Sequence, residues 1–245
     1  MLAVEDAPNG EVTIIVLAKL PVPELVKTRL CPPCTPVEAA QIAEASLIDT
    51  LDAVAAARTL RPELVREAIL CVDRLGRVAP EWIARVGRIV DQCEGGLADR
   101  LEHAFGSVEG PAILIGMDTP QVTAELLIDA ARSLGMRGHD SVIGPAKDGG
   151  FWIIGFRRCP PNVFRGVPMS TDHTGEDQLI AMGREGLTPE LLPALTDFDT
   201  FADAVEIASF LPGSRMQAAV RNVAERLGRA DSELTTPHAV HFERP

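Results

Sequence analysis

Short apolar runs, each ending in a polar loop, recur along this chain and constrain its fold more than any other feature. Val12-Thr-Ile-Ile-Val-Leu-Ala18 and Pro111-Ala-Ile-Leu-Ile-Gly116 are unbroken and rich in β-branched residues. Runs of this length read as strands buried on both faces, as inside a parallel sheet. Residues 67–72, 87–91, 141–144 and 151–156 predict further strands. Helical stretches alternate with them: 37–57, 97–105, 123–134, 175–184, 200–211 and 214–227. The first is opened by Thr35 as N-cap and Pro36 in the first turn. Residues 191–198 read as an extended piece. Strands and helices in this order define an α/β class with a mainly parallel sheet covered on both faces. A single domain, 12–230, holds them all, between a loosely ordered N-terminal segment, 1–11, and a polar tail, 231–245.

Charge narrows the partners. The chain of 245 residues carries 23 Lys+Arg against 35 Asp+Glu, a formal net charge of -12. Such a surface repels phosphate backbones and anionic lipid, so neither nucleic acid nor membrane is expected as a main partner. Small anions stay compatible with it wherever cations or a metal are concentrated. No segment reaches the roughly 18–20 unbroken apolar residues of a membrane span. Met1 to Glu11 lacks the positive start and apolar middle of a signal peptide, so the expected location is the cytoplasm. A homo-oligomer is compatible with the sequence, which does not define one.

Five cysteines, Cys31, Cys34, Cys71, Cys93 and Cys159, are too scattered and odd in number for a disulfide framework. Cys31-Pro-Pro-Cys34 has C-x-x-C spacing, but no second Cys/His pair follows and no strand leads directly into it. It reads as a proline-stiffened loop bearing two thiols.

Ligands of such sheets bind beyond the carboxyl ends of the strands, so the loops there matter most. In Lys27-Thr28-Arg29-Leu30 two cations flank a hydroxyl, an arrangement able to grip phosphate, although Lys-x-Arg serves a solvated surface equally well. Gly95-Gly96, ahead of a helix, exposes amides to an anion or a base edge, or is a plain turn. Asp118, at the tip of a buried strand, suits an oxygen-ligated Mg2+ or Mn2+, or caps the helix after Pro120. Asp148-Gly149-Gly150 and Ser170-Thr171-Asp172-His173 offer further oxygen and nitrogen groups, with a hairpin turn and a helix cap as their plainer readings.

Taken in order, Lys27-Thr-Arg29-Leu, Gly95-Gly-Leu-x-x-Arg100, Gly116-x-Asp118-x-Pro120, Asp148-Gly-Gly-Phe and Ser170-Thr-Asp172 resemble a known family. They are similar to the bacterial transferases described as selenodomain-associated transferase 1, a branch of the GT-A nucleotide-diphospho-sugar transferase superfamily. The resemblance spans approximately residues 12–210. It implies a three-layer α/β/α sandwich with a mainly parallel mixed sheet. It implies that Lys27, Thr28 and Arg29 meet the nucleotide phosphates, and that Gly95, Gly96 and Arg100 border the base. Asp118 would hold the metal, with Asp172 as second ligand because Gly116 stands where a first Asp is usual. Asp148 would meet the acceptor or the transferred group. The family commonly has Gly where Glu24 stands, a small residue where Met117 stands, and Trp where Met169 stands.

The resulting expectation is a metal-dependent glycosyl transfer from a nucleoside diphosphate sugar to a small-molecule acceptor, with Asp118 and Asp148 as the catalytic carboxylates. Two alternatives share the motifs. One is a nucleotidylyltransferase, which takes a nucleoside triphosphate and releases pyrophosphate. The other is a nucleotide-binding protein without catalysis.

Overall fold

The computed structural model describes residues 11–73, 82, 85–136 and 138–228. The expected loose segment and polar tail fall, but for Glu11, outside the described residues. Among the described residues seven strands form one sheet: β1 (Val12–Ala18), β2 (Val65–Val72), β3 (Arg88–Asp91), β4 (Ala112–Gly116), β5 (Ser141–Pro145), β6 (Phe151–Phe156) and β7 (Pro189–Leu191). Their order is β3-β2-β1-β4-β6-β5-β7. Parallel pairing joins β3, β2, β1 and β4, and again β5 and β7, while β6 runs antiparallel to both its neighbours. The reversal follows from chain length. Only Ala146 to Gly150 separates β5 from β6, and a connection that short closes an antiparallel hairpin, never a crossover.

Among the described residues six α-helices cover the sheet: α1 (Pro36–Leu60), α2 (Leu97–Gly106), α3 (Ala124–Gly135), α4 (Thr174–Arg184), α5 (Phe201–Ser209) and α6 (Arg215–Arg226). Strand alternation sorts the core. Ile14 and Val16 of β1 pack with α1 and α3 on one face, whereas Ile15 and Leu17 face α2 and the Phe105, Phe156 and Phe164 rings on the other. The three-layer α/β/α sandwich expected from the resemblance is therefore present.

Helix α1 is buried on two sides. Ala40, Ala43, Leu47, Leu51 and Val54 face the sheet, while Ala39, Ile42 and Ala45 meet Phe201 of α5 and Met216 and Val220 of α6. Thr35 opens it with a capping box, its side chain accepting from the Glu38 amide while the Glu38 carboxylate accepts from the Thr35 amide. The last helix is thus docked, through an outer layer of apolar side chains and the Arg226–Glu38 ion pair.

The extended piece expected over residues 191–198 differs in register. The ladder covers only Pro189–Leu191, with a single further bridge between Ala146 and Leu195. Pro193 brings no N–H to the ladder. Beyond it the chain continues along the strand ends, Lys147 donating to the Leu195 carbonyl (3.0 Å) and Phe198 to that of Asp118 (3.3 Å).

Helices α1 and α2 leave the sheet on opposite faces, so the topological switch lies between β1 and β4, where such folds open a crevice. Among the described residues no helix is long and apolar enough to cross a membrane.

Candidate functional site

A cleft of about 720 Å3 occupies this switch point. Its walls come from the loop after β1, the end of β4, the turn between β5 and β6, the start of α2, residues 170–174 and the segment leading into α5.

The loop after β1 is fixed before it reaches the cleft. The Leu20 amide donates to Asp73 (2.6 Å), and Gln92 ties the ends of β1 and β2 by donating to the Ala18 and Cys71 carbonyls. Lys27 has a left-handed backbone (φ 47), which turns its side chain inward. Its amine lies 3.1 Å from Asp118 Oδ2 and 3.6 Å from Asp199 Oδ1, donates to the Phe198 carbonyl and sits 4.2 Å from the centre of the Phe198 ring. With a side chain only 8% exposed, Lys27 is a buried cation shared by two carboxylates. Arg29 is its opposite, 76% exposed and held at one corner by Asp199 at 2.7 Å. Thr28 lines the cleft between them.

At the end of β4, Met117 is buried and anchored, its carbonyl accepting from Ser46 of α1 at 2.6 Å. Asp118 and Thr119 follow. Asp118 Oδ2 is held by Lys27, whereas Asp118 Oδ1 and Thr119 Oγ1 are buried without a hydrogen-bond partner. Two adjacent oxygens in that state are costly unless a cation or water completes them. Hard oxygen donors of this kind fit Mg2+ or Mn2+, which keep several waters and are bound through one or two carboxylates plus substrate phosphates. No group of three His, Cys, Asp or Glu side chains converges on a metal-sized point among the described residues. The donor set therefore suits an ion carried in with phosphates better than a resident one.

Asp148 and Asp172 are brought to one wall through glycine. Gly149 has φ +90, and a Cβ there would lie 1.7 Å from the Asp172 carbonyl oxygen. Only without that carbon do the two backbones touch. The Gly175 amide then donates to the Gly149 carbonyl at 2.8 Å. Thr174, buried, locks the second loop by donating to the Pro168 carbonyl and accepting from the Thr171 amide. Asp148 Oδ1 accepts from the Gly150 amide at 2.8 Å, and the Asp172 side chain is 96% exposed. The hairpin turn anticipated at Asp148-Gly-Gly and its place on the cleft wall are one and the same feature.

Gly95 and Gly96 do not line the cleft, whereas Leu97 and Arg100 of the same segment do. The Gly96 amide is occupied, donating to the Asp99 carboxylate at 2.8 Å, so the α2 N-terminus caps itself. Cys34 is buried, and burial first, then the neighbouring Cys31 and Glu38, push its thiol up to about 11. Cys31 is raised as well, by burial and Glu38. Thiols this reluctant to ionise make poor nucleophiles, in keeping with a structural loop.

Two carboxylates escaped the reading of the sequence. Asp199 joins Lys27 to Arg29, and Asp197 lines the cleft with no ion pair among the described residues. Burial, reinforced by the charges of Asp148 and Asp199 and opposed by its own backbone N–H and Lys27, pushes the Asp197 carboxyl up to about 6. The signal was present as Asp197-Phe198-Asp199, alternate positions of an extended segment, which place both carboxylates on one side and the buried Phe on the other.

The fold is thus an α/β/α sandwich on a mixed sheet, with a polar cleft at its switch point. A family model described as an uncharacterized protein conserved in bacteria (DUF2064) matches residues 50–171. A crystal structure from Desulfovibrio desulfuricans G20, named as a candidate nucleotide-diphospho-sugar transferase, superposes with a TM-score of 0.75 at 27% identity, covering 89% of this chain and 96% of that one. A cytidylyltransferase from Leptospira borgpetersenii shares the fold at 11% identity and TM-score 0.53, over 94% and 99% of the two chains. So does CMP:2-keto-3-deoxy-manno-octonic acid synthetase in complex with CTP, at 12% identity and TM-score 0.51, over 86% and 100%. No curated protein matches the sequence.

Proposed function

We propose that this chain is a transferase acting on a nucleotide-activated donor, and that it moves a sugar from a nucleoside diphosphate sugar to a small acceptor with Mg2+ or Mn2+. One juxtaposition carries the reading: Lys27 and Arg29 from the end of β1 meet Asp118 from the end of β4 in the same cleft as Arg100 and Asp148. Arg29, largely exposed, offers a planar fork to two phosphate oxygens, and Thr28 offers a hydroxyl beside it. Lys27 contributes its charge from beneath and keeps Asp118 and Asp199 in place. The base would rest against the Gly95–Arg100 segment, where Leu97 presents apolar surface.

Asp118, with Asp172 as the second candidate ligand, would hold the ion. Bound together with the donor, it supplies positive charge to the departing diphosphate. The charge balance supports that need. Aspartates 118, 148, 172, 197 and 199 line the cleft against Lys19, Lys27, Arg29 and Arg100, so an anionic donor enters a cleft with more carboxylates than cations. Asp148 would lie on the acceptor side, across the β5–β6 turn.

Calorimetric titration of UDP-glucose, GDP-mannose, ADP-glucose and dTDP-glucose tests this reading, with and without Mn2+. Binding of at least one, strengthened by Mn2+, is the expected result; binding of none refutes it. The fold shared with cytidylyltransferases favours nucleotidyl transfer as a second reading. Pyrophosphate release from any of the four nucleoside triphosphates would establish it in place of the first.

A further inference from the structure

We propose that the acceptor is an uncharged or cationic hydroxyl compound, not a phosphorylated one, and that Asp197 takes the proton from its nucleophilic oxygen. This rests on the transfer reading above and specifies its second substrate. The cleft's cations are one-sided. Lys19, Lys27 and Arg29 come from the loop after β1 and Arg100 from α2, beside the strands that end the sheet at β3. The opposite wall, from the β5–β6 turn and residues 170–174, contributes Asp148, Asp172, Ser170, Thr171 and Thr174 and no cation. Lys147 and His173, adjacent in sequence, do not line the cleft. A phosphate monoester placed against that wall would meet carboxylates without a counter-charge. A hydroxyl finds there only acceptors and hydroxyls with which to hydrogen-bond.

Around the cleft the carboxylates divide their work. Asp118 is held by Lys27, and Asp199 by Lys27 and Arg29. Asp148 is partly engaged by the Gly150 amide. Asp197, half-buried on the cleft, has no ion pair among the described residues and is engaged only by its own backbone N–H. It faces Asp148 from the β5–β6 turn, Asp199 on its own segment and Lys27 from the loop after β1, with the Asp118 backbone joined to its neighbour Phe198. A carboxylate made more basic by burial and like charge is suited to accept a proton near neutral pH. In the step the acceptor O–H bond breaks and its proton passes to an Asp197 oxygen. The acceptor oxygen bonds to the sugar carbon, and that carbon's bond to the diphosphate oxygen breaks with both electrons leaving on the diphosphate.

The test uses the full chain with Mn2+ and whichever of the four nucleotide sugars binds. Nucleoside diphosphate release is followed with water, glycerol or glycerol 3-phosphate as acceptor, for the native protein and Asp197→Asn. The expected result is donor affinity within about threefold of native in the variant, with release slowed by roughly 100-fold or more. The native rate should rise with pH through about 6, a rise missing from the variant. Glycerol should serve better than glycerol 3-phosphate. Near-native release by the variant with the same pH profile, or preference for glycerol 3-phosphate, overturns the proposal. Failure of every nucleotide sugar to bind would instead refute the transfer reading beneath it.

Discussion

The two walls of the cleft solve opposite electrostatic problems with the same residue type. On the β1–β4 side aspartates are paired: Lys27 lies between Asp118 and Asp199, and Arg29 closes the row. Asp148 and Asp172 on the β5–β6 side, and Asp197 on the segment leading into α5, meet no lysine or arginine within ion-pair distance among the described residues, and burial with like charge pushes the Asp197 carboxyl up to about 6. Pairing keeps carboxylates ready to organise cations and phosphates. Burial and neighbouring like charge raise the affinity of Asp197 for its proton. Under the proposed transfer, the paired carboxylates would serve the anionic donor and the unpaired ones the neutral acceptor.

The largest effect should come from breaking the unpaired wall mechanically. Gly149→Ala places a methyl against the Asp172 carbonyl at a left-handed position, and overpacking with backbone strain should cost about 3 kcal/mol in urea denaturation. A loss under about 1 kcal/mol would mean the two loops separate easily. Lys27→Met attacks the paired wall. It leaves Asp118 and Asp199 facing each other and should weaken calorimetric donor affinity about 100-fold, near 2.7 kcal/mol. Arg29→Ala sharpens the contrast between the two cations. Its exposed pair with Asp199 should add less than about 0.5 kcal/mol to stability, yet donor affinity should fall about tenfold.

The smallest effect runs the other way. Asp197 is raised from 3.8 to about 6 in the fold, so its contribution to stability is fully present below 3.8 and lost as pH rises through 6. Asn cannot ionise. Discounted for partial exposure, Asp197→Asn should be about 1 kcal/mol more stable than the native protein at pH 8, with the difference gone by pH 4. Equal stability at pH 8 would remove the argument that this carboxylate is strained by its surroundings.

The paired wall was the more legible in the sequence. Lys27-x-Arg29 and Gly116-x-Asp118 sit directly after buried strands, and the topology makes such positions converge. Even there the inward turn of Lys27 was not foreseeable, because it follows from a left-handed backbone and from Phe198, far away in the chain. Glu24 also adopts a left-handed conformation, φ 70, which accounts for the glycine common at that position in the family it resembles. The unpaired wall was half legible. Asp148-Gly-Gly carried a local signal, but Asp197 lies in a stretch broken by Pro193, where the strand pattern fails and a place on the cleft shows only once the segment is laid across the strand ends. Strand and helix positions were clear throughout because burial on both faces leaves unbroken apolar runs, while the direction of β6 depended on a turn length that the runs do not encode.

The most direct measurement is anomalous diffraction from Mn2+ in crystals grown with a nucleoside diphosphate. The account predicts one ion coordinated by Asp118 Oδ1 and diphosphate oxygens, with Arg29 on the same diphosphate and Lys27 still beneath Asp118. An ion bound at Asp148 and Asp197 instead, or a diphosphate resting away from Arg29, would contradict it.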